Sequence, residues 1–164
     1  MVHKKGGKYI MKTHQKEKGF TIIEVVLVLA IAGLIFMMVF IALPALQRSQ
    51  RDTQRKNDIS RLNTALASYE SNNRGDIPKT AAEWATFVTG YVRTAGDTFV
   101  DPNGEDYIVT TTATLPTTFK DTEPIILVTL NAKCNGESIA PGQGSRKVAL
   151  QMKLEGSGTV CVNN

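Results

Sequence analysis

Histidine and cysteine, the residues most used for metal ligation and nucleophilic catalysis, are nearly missing from this 164-residue chain. Both histidines, His3 and His14, fall in the first stretch of the sequence, and Cys134 and Cys161 are the only cysteines. Too few ligands lie in any one region for a zinc site. No G-x-S-x-G, phosphate-binding glycine loop or paired carboxylates occur, so neither an enzyme nor a bound cofactor is expected. The net charge of +4 is also less informative than it looks. Residues 1–19 hold six of the 19 basic residues (Lys4, Lys5, Lys8, Lys12, Lys16, Lys18) and one acid, Glu17, leaving 13 basic against 14 acidic residues elsewhere. The body of the chain is close to neutral, and no charge argument for nucleic-acid binding survives.

The most telling absence is of charge and strong polarity between Val25 and Leu43, 19 residues that also lack proline. A helix of that length spans about 28 Å, near the thickness of a bilayer core. A secretory signal peptide wants a shorter apolar stretch ending at small residues. Ala30-Ile31-Ala32 has that form, but apolar chain continues through Leu43. With no cysteine near the span, a lipoprotein site is excluded. The apolar run by itself fits a plain signal anchor.

The residues before the run point elsewhere. Lys18-Gly19-Phe20-Thr21-Ile22-Ile23-Glu24 resembles the class III signal of type IV prepilins, and the resemblance extends over about residues 16–70. It implies that a membrane-embedded aspartyl peptidase cuts between Gly19 and Phe20 and N-methylates Phe20. Residues 1–19 are then a cleaved leader, and Glu24 stands fifth in the mature chain, where the family keeps a glutamate. An ionised side chain inside the bilayer costs roughly 2.5–3.5 kcal/mol on the gentler insertion scale. Cleavage supplies a motive for keeping it, because it creates a positive amine on Phe20. By family resemblance, Glu24 pairs with the Phe20 amine of a neighbouring subunit and sets axial register. The bland alternative is a Glu24 that snorkels to the interface and pairs with nothing.

Met11 offers a second possible start. The full leader sets six lysines against Arg48, Arg51, Arg55, Lys56 and Arg61 beyond the span, a thin positive-inside bias that disappears if the chain starts at Met11. The resemblance places the C-terminal part outside the cytoplasmic membrane as a single-pass protein, and later in an extracellular filament.

Residues 20–46 read as the hydrophobic transmembrane and filament-core helix, and residues 47–72 as its amphipathic continuation. Ile59, Leu62, Leu66 and Tyr69 recur at helical spacing and form one stripe suited to packing on a domain. Arg51, Arg55, Asp58 and Arg61 lie off it, which predicts a solvated or subunit-facing surface. Two residues can interrupt the helix: Gly33 is a flexible point, and Pro44 cannot donate a backbone hydrogen bond. Related pilins commonly have a glycine at the position of Gly33 and a proline where this chain has Ile41, and their filaments unwind between such points. Here any unwinding shifts toward Pro44.

Residues 73–164 read as a globular head. Asn72 to Pro78 is a helix stop and loop, and Thr80-Ala81-Ala82-Glu83 is a capping-box pattern opening a short helix that buries Trp84 and Phe87. Asp101-Pro102-Asn103-Gly104-Glu105-Asp106-Tyr107 resembles the DP-x-G-x-x-Y loop of pseudopilins and some pilins; its alternating acids also suggest calcium, though the spacing falls short of an EF-hand. Tyr107–Thr112, Pro124–Leu130 and Arg146–Leu154 read as strands of an antiparallel meander, with a short edge strand at Thr159–Val162. The expected fold is α+β, a pilin-like long helix covering one face of a small antiparallel sheet. In an oxidising compartment Cys134 and Cys161 are expected to pair, as pilins often close a C-terminal loop. The partners implied are other pilins, a prepilin peptidase, a platform membrane protein and a cytoplasmic assembly ATPase. A pilus subunit for adhesion, twitching or DNA uptake leads; a pseudopilin of a type II secretion or competence system is the alternative.

Overall fold

The computed structural model describes residues 19–94 and 97–164. Residues 1–18 of the basic leader, with both candidate starts, lie outside the described residues. The first long element is α1, Ile22–Asn72. Between Val25 and Leu43 it has no side chains able to satisfy backbone N–H and C=O groups, so internal helical bonding is the only way to pair them in an apolar medium. From Gln47 onward the composition turns to strong helix formers. The helix ends where Arg74 and Gly75 take positive φ of 58° and 81°, and Gly75 N–H reaches back to the Glu70 carbonyl at 2.7 Å. That is a reversed-handed C-terminal cap, which glycine adopts at least cost. Two compact units follow from the packing, one through Phe40 and one from Ile41 to Asn164.

In the second unit, α2 (Ala81–Phe87) begins at the predicted capping box. The Thr80 hydroxyl accepts the Glu83 N–H at 3.3 Å, and the Glu83 carboxylate accepts the Thr80 N–H at 3.2 Å. Backbone N–H groups of Lys79 and Thr80 hold that carboxyl below its ordinary pKa. A π-helical turn, Val88–Val92, extends the helix.

Six strands follow: β1 Ile108–Thr110, β2 Ile125–Leu130, β3 Ala132–Asn135, β4 Ser138–Pro141, β5 Val148–Lys153 and β6 Thr159–Asn163. The main sheet has the order β1-β2-β5-β6. The α+β class holds, but the sheet is mixed, because β1 runs parallel to β2 while the other pairs are antiparallel. A parallel pair cannot be closed by a tight turn, and residues 111–124 supply the crossing connection. The pair β3–β4 is a separate hairpin that the strand pattern did not predict.

The stripe on α1 packs as expected. Ile59, Leu62 and Leu66 are fully buried in one cluster with Trp84, Phe87, Ile126, Val128, Leu150 and Met152, and Tyr69 packs against it. Buried residues on β5 also include Ala149 and Gln151 on the opposite face. The hairpin lies toward that side: Gln151 Nε2 donates to the Glu137 carbonyl at 2.6 Å, and the Cys134–Cys161 disulfide ties β3 to β6. Changing both cysteines to serine should lower stability by about 3–4 kcal/mol on the loop-entropy model for a link across 27 residues. Urea unfolding of the oxidised chain and the double variant measures it; equal midpoints would contradict a stapling role.

Candidate functional site

Two groups of polar residues stand out, one at the head of α1 and one in the second unit. At the first, Gly19 and Phe20 precede the helix in non-helical backbone and are exposed. Thr21 is the residue before α1 and Glu24 lies in its first turn. Glu24 Oε2 accepts from the Thr21 N–H at 2.9 Å and from the Thr21 hydroxyl at 2.8 Å. The Glu24 N–H returns to Thr21 Oγ1 at 3.4 Å. This is a capping box, with a carboxylate at the positive end of the helix. Thr21 is a functional candidate that sequence reasoning passed over, although T-x-x-E before an apolar run is its known signature. Phe20, Glu24, Val25, Val28 and Leu29 line a single open concavity.

Apart from Glu24, α1 from Ile22 to Leu43 is apolar on all sides, and its large side chains are exposed. Ile22, Ile23, Leu27, Leu34, Phe36, Met38, Phe40 and Ile41 all present more than half their surface. A helix apolar all round is stable only when covered, by lipid or by other helices. It is long and apolar enough to cross a membrane. Gly33 and Pro44 both lie inside α1, which remains helical through each.

The second group overturns one expectation. Arg55 is not on a solvated face; its side chain is 0% exposed. Its Nε and Nη2 donate to the two carboxylate oxygens of Asp101 at 2.7 and 2.9 Å. Its Nη1 reaches Asp52 at 3.0 Å and Glu155 at 3.2 Å. The Phe119 ring lies 4.0 Å from its guanidinium carbon. Asp52 in turn accepts the backbone N–H groups of Glu155 and Gly156, at 2.9 and 2.7 Å. Arg51 closes the group through Glu155, at 2.5 and 2.8 Å. A buried guanidinium is tolerable only when its donors are met by carboxylates in this way.

Titration reflects the geometry. Burial alone would lower the pKa of Arg55, but the bonds and charge of Asp101 outweigh it and raise the value. Hydrogen bonds from Arg51, then Arg55, hold the Glu155 carboxyl down at about 2 against burial. Because the folded value lies below the unfolded one, that stabilisation is fully present above the ordinary carboxylate range. It is lost as pH falls through about 2. Asp58 and Tyr107 form a second link at 2.9 Å; burial raises both groups, and the Asp58 charge pushes the tyrosine further.

The Asp101–Tyr107 loop is therefore held to α1 from both ends. Asp101, the natural first ligand of a calcium loop, is engaged by Arg55 and by the Asn103 N–H at 3.0 Å. Among the described residues no three ligating side chains gather.

Residues 14–40 match the model of the prokaryotic N-terminal methylation motif, the class III signal peptide of type IV pilins and pseudopilins. No curated protein and no solved structure matches the chain. The chain thus carries the N-terminal signature of pilin-like and pseudopilin precursors, and its apolar helix suits membrane anchoring.

Proposed function

We propose that the chain is a structural filament subunit and not a catalyst. A prepilin peptidase cuts it between Gly19 and Phe20 and methylates Phe20, and a platform protein and ATPase draw it from the membrane into a helical surface pilus. One observation carries this reading: an exposed apolar segment of α1, residues 25–43, headed by a lone carboxylate at Glu24 shortly after Lys18-Gly19. An anchor that stayed in lipid would gain by losing Glu24, whereas a helix bound for a bundle of its own kind can use the charge. Gly33 and Pro44 are the candidate flexible points of that helix, which is continuous through both.

Mass spectrometry of the protein from membranes tests it. The expected product begins at N-methylated Phe20 and carries the disulfide; a retained leader would overturn the reading. The Asp101–Tyr107 loop, which resembles one found in pseudopilins and some pilins, leans toward a pseudopilin role, while the Cys134–Cys161 pair leans toward a pilin. Long fibres sheared from cells and seen by electron microscopy would favour the pilus; short periplasmic assemblies would favour the pseudopilin.

A further inference from the structure

Just past the apolar run, α1 and the turn after β5 enclose a cleft of about 370 Å³. Arg48, Ser49, Thr53 and Lys56 line one side, and Gly156 and Ser157 the other. Its floor is Asp52, whose charge is answered by Arg55 and by two backbone N–H groups. The two cations at its rim are not answered in the same way. Arg48 is 59% exposed, and its contact with Glu155 is long at 3.6 Å. Lys56 is exposed and forms no ion pair among the described residues.

Position decides what such a cleft meets. Arg48 lies two residues beyond Leu46, about 3 Å of helical rise, within the headgroup layer of a bilayer whose core ends there. Lys56 sits about 15 Å beyond Leu46. Side chains on a helix lean toward its N-terminus, so the long Lys56 stem leans back toward the membrane. Arg48, held only by one long contact, Lys56 and the Ser49 hydroxyl together match a phosphodiester, which offers charge and acceptor oxygens; the Thr53 hydroxyl is spent on the Ser49 carbonyl.

We propose that this cleft holds the phosphate of an anionic phospholipid headgroup while the subunit waits in the membrane. The contact steadies the subunit at the bilayer surface and must be given up on extraction. The proposal rests on the membrane-anchored reading above.

The test uses the full chain with vesicles of phosphatidylcholine, with or without phosphatidylglycerol, followed by native mass spectrometry of retained lipid. The wild-type chain should retain phosphatidylglycerol over phosphatidylcholine. An Arg48→Gln/Lys56→Gln variant should lose at least tenfold of that preference, at roughly fivefold per basic residue near a charged surface. A Lys79→Gln/Lys133→Gln control, an equal loss of two charges away from the cleft, should retain it. No preference in the wild type, equal loss in the Lys79→Gln/Lys133→Gln control, or displacement of the lipid by millimolar inorganic phosphate would overturn the headgroup site. Co-flotation separates the two claims. A chain that floats equally with both vesicles keeps its anchor and refutes only the headgroup; one that floats with neither refutes both.

Discussion

An Asp101→Ala variant is expected to lose about 3–5 kcal/mol of stability, the usual result of leaving one partner of a buried ion pair behind. Arg55 is fully enclosed, and Asp101 takes both its Nε and one of its terminal nitrogens. Asp52 and Glu155 cannot replace it, because they already engage Nη1, Arg51 and the Glu155–Gly156 backbone. Unfolding can be followed through Trp84, the only tryptophan, which is buried in the head. A loss under about 1 kcal/mol would mean that water or a neighbouring carboxylate satisfies the guanidinium. A second comparison guards against a general packing defect. Adding Arg55→Met to Asp101→Ala removes the orphaned charge, so the double variant should lose less than the two single losses combined.

The same residues show how far the sequence could be read. Ile59, Leu62 and Leu66 were legible because a buried stripe on a helix is local, periodic information. Arg55 stands four residues before Ile59, in register with the stripe, so its spacing pointed inward; its charge, which usually faces water, masked that signal. Of its partners only Asp52 is close in sequence; Asp101 and Glu155 lie 46 and 100 residues away. Strand content was legible from β-branched runs, but direction was not, because residue preference does not distinguish parallel from antiparallel pairing. The β3–β4 hairpin did carry a signal: Gly136, at a φ of 62°, opens a two-residue turn between Asn135 and Ser138. Short, half-exposed strands around it gave no strong alternation. At the head of α1 the motif was legible, and what the structure adds is the reciprocal bonding of Thr21 and Glu24.

That addition shapes the second large effect, at Glu24. Glu24→Ala should leave membrane insertion and cleavage intact while filaments fail, read as mature-length subunit in membranes with no sheared fibres. The capping box means this variant removes two things at once: the bonds to Thr21 and the charge. Glu24→Gln separates them, because glutamine at the third helical position also closes a capping box. If the charge is what matters, the glutamine variant should be cleaved normally and still form no filaments. The physical reason is the amine that the proposed cut would expose on Phe20. A positive group at the N-terminus of a helix is disfavoured by the helix dipole and costly in lipid, so it needs an anion, which an amide cannot supply. Filaments at wild-type yield from Glu24→Gln would refute the ion pair and leave Glu24 as a helix cap. Loss with both substitutions, alongside normal N-methylation of Phe20, would place the carboxylate at the assembly step itself.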